Sequence, residues 1–264
     1  MISNNKASFD AAAATYDNDF TLSEIGKKQR NRVFHWLNKS KILKNSKRVF
    51  EINCGTGYDA EWFFNHDFEV VATDASTEMV KVAKAKRNSR INFYQRDFKD
   101  ISIDVNVGNA DLVFSNFGGL NCLNENDLRT FFKDLALKQK SGDYLAMVIM
   151  PEHCQVENLY FLFKGQFSKI NRRSRKNYLE VDVNGEKVIT FYHSPWTVKQ
   201  LLFKFYKVEL VKPVAHFLPP SYLEPFFKRH GWLLQILYIL ERIYGRISYL
   251  AKSADHYIVI AKRR

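Results

Sequence analysis

Arg48-Val-Phe-Glu-Ile-Asn53 runs straight into Cys54-Gly55-Thr56-Gly57, and 17 residues after Gly57 a second apolar run, Glu69-Val-Val-Ala-Thr-Asp74, ends on an acid. Short, nearly continuous apolar runs of this kind are what strands covered on both faces look like. Glycine at a strand-to-helix turn lets backbone approach a ligand, and the helix start beyond it offers free N–H groups. An acid ending the second strand stands where ribose hydroxyls are gripped in nucleoside-binding sheets. The decisive reading is therefore a strand, a glycine loop, a helix and a strand ending in Asp74.

Outward from that unit the alternation continues. Residues 22–39 read as a helix with Ile25, Val33, Trp36 and Leu37 on one side, and a helix runs from about Ser76 to Arg87. Ile91–Gln95, Ala110–Ser115 and Tyr144–Met150 read as strands, with a helix from Glu125 to Leu137 between the last two. Repeated strand then helix means right-handed parallel crossovers. After Met150 the rhythm changes: Tyr178–Val183, Asn184-Gly185 and Glu186–Tyr192 predict a hairpin, because Asn-Gly suits a type I′ turn. Pro195–Phe205 reads as a helix capped by Ser194, and Tyr206–Val211 and His256–Ala261 supply the last two strands.

The expected fold is α/β: a doubly wound, mostly parallel seven-stranded sheet with helices on both faces, plus a lid or insertion in the C-terminal half containing a β-hairpin and an apolar helix. Residues 1–40 are expected to form cap helices and 41–150 the Rossmann-like core. An acceptor-side insertion with the hairpin follows at 151–194, and 195–264 completes the sheet around a helical lid insertion at 213–254.

Composition narrows the chemistry. Lys and Arg number 40 against 28 Asp and Glu, a net charge of +12, while 46% apolar residues leave enough material for a core and exclude a disordered polymer. Three cysteines, Cys54, Cys122 and Cys154, are widely spaced without a CxxC, so neither a disulfide framework nor a metal site is expected, and a reducing cytosol fits. The first residues show no basic n-region followed by an apolar stretch, so no secretory leader is expected. The most apolar stretch, Gly231–Leu250, carries Glu241, Arg242 and Arg246 and falls short of a spanning helix. A soluble cytoplasmic protein is the expectation, with contact to a membrane or anionic lipid left open.

The glycine stretch resembles the first motif of the class I S-adenosylmethionine-dependent methyltransferases, acid-x-Gly-x-Gly-x-Gly, here Glu51, Ile52, Asn53, Cys54, Gly55, Thr56, Gly57. The resemblance implies S-adenosylmethionine as cofactor and S-adenosylhomocysteine as product, with Asn53, Cys54, Gly55 and Gly57 facing the methionine end and sugar, and Glu51 oriented toward the amino group. It also implies that Asp74 grips the ribose, that Ala75 and Met79 lie beside the adenine, and that Asp97 and Phe98 meet the adenine edge. Asn116 and Phe117, after the fourth strand, match the floor under the methyl donor. Phe9-Asp10-x5-Tyr16-Asp17-x2-Phe20 is similar to the cap of small-molecule methyltransferases, whose tyrosine, here Tyr16, closes over the cofactor. Asn53 departs from the motif's first glycine, but Asn tolerates left-handed backbone.

Function divides three ways. The first reading is methyl transfer to a small, apolar or aromatic acceptor, with the acceptor atom (O, N or C) open and Phe161, Phe163, Phe167, Tyr192, Trp196, Phe217, Tyr222, Phe226 and Phe227 available to line a pocket. The second is an RNA or DNA methyltransferase, favoured by charge. It ranks lower because Ser115-Asn-Phe-Gly-Gly119 lacks the Asn/Asp-Pro-Pro-aromatic loop of exocyclic-amine enzymes. The third is a non-catalytic cofactor-binding protein on the same fold. Glu152, His153, His193 and His216 lie at the acceptor edge or flank the insertions; His153 ranks first as general base, though positioning alone supplies much of the rate in methyl transfer. The run Lys164, Lys169, Arg172, Arg173, Arg175, Lys176 reads as a solvated face or an anion-binding patch. The helix at 231–250 reads as a packed lid, a hydrophobic acceptor tunnel or a membrane-resting face. No obligate protein partner is inferred.

Overall fold

In chain order the N-terminal half contains α1 (Glu24–Lys39), α2 (Ile42–Asn45), β1 (Arg48–Ile52), α3 (Tyr58–Phe64), β2 (Glu69–Asp74), α4 (Thr77–Lys86), β3 (Asn92–Gln95), β4 (Leu112–Ser115), α5 (Glu125–Lys138) and β5 (Tyr144–Ile149). Then follow α6 (Gln155–Phe163), α7 (Arg172–Arg175), β6 (Leu179–Val183), β7 (Glu186–Thr190), α8 (Pro195–Leu202), β8 (Tyr206–Val214), α9 (Glu224–Arg229), α10 (Gly231–Tyr244) and β9 (His256–Arg263). The structure, a computed structural model, describes residues 9–175, 177–183 and 185–264. Residues 1–8 of the expected cap, Lys176 of the basic run and Asn184 of the expected turn lie outside the described residues.

Seven strands form one sheet in the order β3-β2-β1-β4-β5-β9-β8, and β6 and β7 pair separately as the expected hairpin. Strands β1 to β5 pair in parallel, while β9 runs antiparallel to both β5 and β8. The apolar runs are explained by cover on both faces. Val49 joins a cluster with Val33, Trp36 and Leu37 of α1 and Phe63 of α3, whereas its neighbour Phe50 joins the opposite cluster with Leu128 and Phe132 of α5 and Leu202 of α8. Every residue of β5 is buried for the same reason.

Strand order reverses between β1 and β4, with β2 on one side and β5 on the other. At such a switch point the loops leaving the carboxyl ends of the strands diverge and open a crevice. Strand β9 contributes to that edge as well. Because it is antiparallel to β5, with Ile149 opposite Tyr257, its first residues meet the carboxyl end of β5. Strand β8 runs to Val214, beyond the expected Val211, and carries Pro213, which an outer strand tolerates because one backbone edge has no partner strand.

The apolar helix α10 packs one face against α1. Leu234 is buried, and Leu233, Leu237 and Tyr238 join the cluster that holds Ile25. Glu241, the acid that interrupts this apolar stretch, is fully buried: its carboxylate accepts the Ala215 and Phe217 N–H groups at 3.1 and 2.8 Å and lies 3.8 Å from Arg32 Nε. It ties α10 to the segment leaving β8 and to α1. Among the described residues, no helix is long and apolar enough to cross a membrane.

Candidate functional site

The loop after β1 turns on three left-handed residues, Asn53 (φ +50°), Gly55 (φ +54°) and Gly57 (φ +75°). A side chain at Gly57 would also meet the Phe93 ring at 2.7 Å. Asn53 does more than tolerate its backbone. Its Nδ2 donates to the Asn116 carbonyl at 2.9 Å and its Oδ1 accepts from the Ser115 hydroxyl at 2.7 Å, so one side chain ties the loop after β1 to the loop after β4 across the switch point. Asp74, at the end of β2, accepts the Gly55 N–H at 2.8 Å and the Ser76 N–H at 2.9 Å. Burial raises its carboxyl against the pull of those two N–H groups.

The lead segment is fastened over this loop by the two acids flanking its tyrosine. Asp10 accepts from the Ser76 hydroxyl and the Glu78 N–H at the start of α4. Asp17 accepts from the Thr56 hydroxyl and pairs with Lys86 and Arg87 at 3.0 and 2.9 Å. Tyr16 is thereby held over the glycine loop, where a Cβ built on Gly55 would come 3.7 Å from its ring. Beneath, Arg30 of α1 makes a two-pronged pair with Asp59 (2.6 and 3.3 Å), and Asn116 donates to the same carboxylate at 2.9 Å. The Arg30 guanidinium also lies 4.7 Å over the Phe117 ring.

Two chambers open at this edge. The first, about 360 Å³, is walled by Tyr16, Asn53, Gly55, Asp74, Ala75, Met79, Asp97, Phe98, Asn116 and Phe117, so ten of the residues expected to hold cofactor converge on one space. Three others do not reach the wall. Cys54 is buried, its N–H bonded to the Thr73 carbonyl, and Gly57 sits against Phe93. Glu51 is buried behind the loop, and its Oε2 has no hydrogen-bond partner among the described residues. Burial, with Asp59 adding to it, raises its carboxyl well above the ordinary range.

The second chamber, about 230 Å³, shares Phe9, Tyr16, Phe117, Gly118 and Cys122 with the first. Its apolar wall is Phe20, Met150 and the hairpin valines Val181, Val183 and Val188; its polar wall carries Arg172, Arg173, Tyr192, Tyr222, Asp255 and His256. The Cys122 thiol at the seam is pushed up to about 11 by burial and stays protonated.

Here several expectations change. Of the nine aromatic residues proposed as lining, only Tyr192 and Tyr222 reach a chamber. Phe163, Phe167, Trp196 and Phe226 are exposed, and Phe161 and Phe227 are buried in packing. The α10 helix contributes nothing to either wall. Its outer face, Trp232, Ile236, Ile239 and Ile243, is open to solvent, so the tunnel reading fails, and the insertion instead reaches the second chamber through Pro220, Ser221 and Tyr222. His153 is exposed and lines neither chamber. His193 is buried with Nε2 2.8 Å from the Leu123 carbonyl, and His216 lies 3.5 Å from Ser253.

The basic run divides too. Arg172 and Arg173 both pair with the buried Glu157, at 2.8 and 3.0 Å, and Arg173 also pairs with Asp255 at 2.7 Å. Two of the six residues that read as a solvated patch, Arg172 and Arg173, are chamber wall. The histidine that does reach the second chamber, His256, sits beside Asp255; an adjacent acid and histidine opening a strand next to β5 is the signal that would have found it.

Residues 49–142 match the family described as "Methyltransferase domain". Residues 49–142 are thus similar to a methyltransferase domain, and the chain has the fold of S-adenosylmethionine-dependent methyltransferases. A malonyl-[acyl-carrier protein] O-methyltransferase of Bacillus anthracis is 28% identical over 134 residues, a match spanning 49% of this chain and 47% of that protein. The methyltransferase fold also superposes on magnesium protoporphyrin IX methyltransferase of Synechocystis PCC 6803, crystallised with S-adenosylhomocysteine bound (14% identity, TM-score 0.59, 98% and 96% of the two chains). It likewise superposes on an S-adenosylmethionine-dependent methyltransferase of Mesorhizobium loti (13% identity, TM-score 0.55, 87% and 96%). At these identities the likeness is one of fold, and it spans the methyltransferase domain together with the strands and insertions that follow it.

Proposed function

We propose that this chain moves the methyl group of S-adenosylmethionine, held in the first chamber, onto a small acceptor with an apolar or aromatic body held in the second. The observation that carries the reading is the shared seam: two chambers meet at Tyr16, Phe117, Gly118 and Cys122, so a donor in one and an acceptor in the other face each other.

The residues fit the donor. An unpartnered carboxyl oxygen on Glu51, in a buried site where ionisation is costly, suits the cofactor's ammonium group. Each Asp74 oxygen already accepts one N–H and keeps a lone pair for a ribose hydroxyl. Ala75, Met79 and Phe98 offer an apolar slot for the adenine, with Asp97 at its edge. Cys54 and Gly57 serve by shaping the turn. When bound, S-adenosylmethionine supplies an electrophilic methyl on a sulfonium. The chain's contribution is to exclude water beneath the pinned lead segment and to hold the acceptor in line, and such positioning alone is worth about 7–11 kcal/mol of barrier in well-oriented systems.

The second chamber supports a small acceptor of mixed character, valine and phenylalanine on one side and hydroxyls and paired charges on the other. Nucleic acid is disfavoured because Arg172 and Arg173 are already paired internally. The proposal includes contact of α10 with a membrane or anionic lipid surface, supported by the solvent-facing Trp232, Ile236, Ile239 and Ile243 and tested by liposome co-sedimentation. Calorimetric titration with S-adenosylhomocysteine, then a radiolabelled methyl-transfer screen over phenols, quinones and lipids, tests the central reading. Absence of cofactor binding would refute it.

A further inference from the structure

His256 occupies a position that the methyl-transfer reading leaves without a task. It opens β9 at the carboxyl edge of β5, is nine-tenths buried, and lines the acceptor chamber but not the donor chamber. Its ring meets Phe117, a seam residue, edge-on at 5.4 Å. Its Nδ1 lies 3.1 Å from Asp255 Oδ2, within ion-pair reach though off the line of a straight hydrogen bond. Its Nε2 has no hydrogen-bond partner among the described residues.

Asp255 is built to hold that ring. Its Oδ1 accepts from Arg173 at 2.7 Å, its Oδ2 accepts from Gln29 at 3.2 Å, and its backbone N–H is bonded to the Ala215 carbonyl. Burial opposes its charge, but His256 and Arg173 outweigh burial and keep the carboxyl below the ordinary range. A fixed carboxylate at Nδ1 selects the tautomer whose Nε2 lone pair is free, the arrangement in which an imidazole takes a proton and has the resulting charge stabilised behind it.

Resting on the methyl-transfer reading above, we propose that His256 is the general base of the reaction and that the acceptor is a neutral alcohol or phenol. The acceptor oxygen forms its bond to the methyl carbon, the carbon–sulfur bond breaks with its electron pair going to sulfur, and the hydroxyl proton passes to His256 Nε2. The sulfonium charge is thus replaced by an imidazolium charge facing Asp255. Two features select a hydroxyl. The chamber's cations among the described residues are already paired, Arg30 with Asp59 and Arg172 and Arg173 with Glu157 and Asp255, so a carboxylate would have to compete with those acids. A neutral amine attacks without prior proton removal, whereas a hydroxyl gains from it.

The test uses phenol and 4-nitrophenol as probes with the full chain and its His256→Gln and His256→Ala variants. In mildly alkaline buffer 4-nitrophenol is already ionised and needs no base. The variants are expected to keep S-adenosylhomocysteine affinity, to lose about 10²–10⁴-fold in phenol methylation, and to lose far less on 4-nitrophenol, with added imidazole restoring the Ala variant. Without cofactor, 4-nitrophenol bound near neutral pH should show more phenolate absorption in the parent chain than in His256→Gln. Equal losses on both probes with intact cofactor affinity would show that His256 only shapes the chamber and would overturn its role as base. Transfer to neither probe by a parent chain that binds cofactor would overturn the hydroxyl assignment. A parent chain that binds no cofactor would instead bring down the methyl-transfer reading.

Discussion

The two chambers treat their acids in opposite ways. On the side of the first chamber Glu51 is buried and Asp74 partly so, and burial raises both carboxyls, in Glu51 with one oxygen unpartnered among the described residues. On the acceptor side burial works equally against Glu157 and Asp255, yet Arg172, Arg173 and His256 overcome it and hold both below the ordinary range. Behind the first chamber one Glu51 oxygen is thus left without a hydrogen-bond partner among the described residues. Around the second chamber Glu157 and Asp255 are instead each paired with a cation. A cavity's unsettled charges tell more about its ligand than its lining does.

The largest expected effect breaks the acceptor side. Arg173→Met leaves Asp255 without its 2.7 Å partner and Glu157 with one fewer, and should destabilise the fold by about 3–5 kcal/mol, read from denaturant titration. A change under about 1 kcal/mol would mean that the network is not what holds this wall. On the donor side, Asp74→Ala should weaken S-adenosylhomocysteine about 10²-fold, since hydrogen bonds to a charged group carry ~1.5–3 kcal/mol. Unchanged affinity by calorimetry sinks the ribose assignment.

A third prediction sets the chambers against each other through pH. Raised carboxyls subtract stability as pH climbs above the ordinary carboxylate pKa of about 4, whereas lowered ones are fully stabilising above it and lose their contribution as pH falls below it. Stabilisation by S-adenosylhomocysteine, measured as a shift in melting temperature, should therefore grow as pH rises from about 4 to about 7, because the ligand's ammonium relieves Glu51. Titration in two buffers of different ionisation enthalpy should show ligand-linked proton release that is absent in Glu51→Gln. Equal release in both forms would remove Glu51 from the ammonium site. The smallest effect is expected from the exposed part of the basic run: Lys164, Lys169 and Arg175 replaced together by Ser should leave cofactor affinity within about twofold, since surface substitutions away from a site are usually within about 0.5 kcal/mol.

Much of this was legible in the chain. Short, largely apolar runs at 110–115 and 144–150 announced a sheet covered on both faces, and the lead segment's Tyr16, set between two acids' worth of anchoring at Asp10 and Asp17, was marked as a cap. The basic run and the histidines were misread for one reason. Arg173 and Asp255 are 82 positions apart, and no local pattern reveals that a cation of a charge run has its counter-ion across the molecule. The aromatic count misled similarly, because a ring's contribution to a pocket depends on which face of its element packs inward.

The sequence by itself determined the glycine turn, its acid partner at Asp74 and the alternation of strand and helix, since these rest on backbone conformation and local periodicity. Only the tertiary structure decided the second chamber. Antiparallel β9 brings Asp255 and His256 to the edge where β1, β4 and β5 end, and α6 and α7 supply the charges that pair there. Such a wall is made of contacts between residues far apart in the chain, and their energies depend on burial that no local window contains.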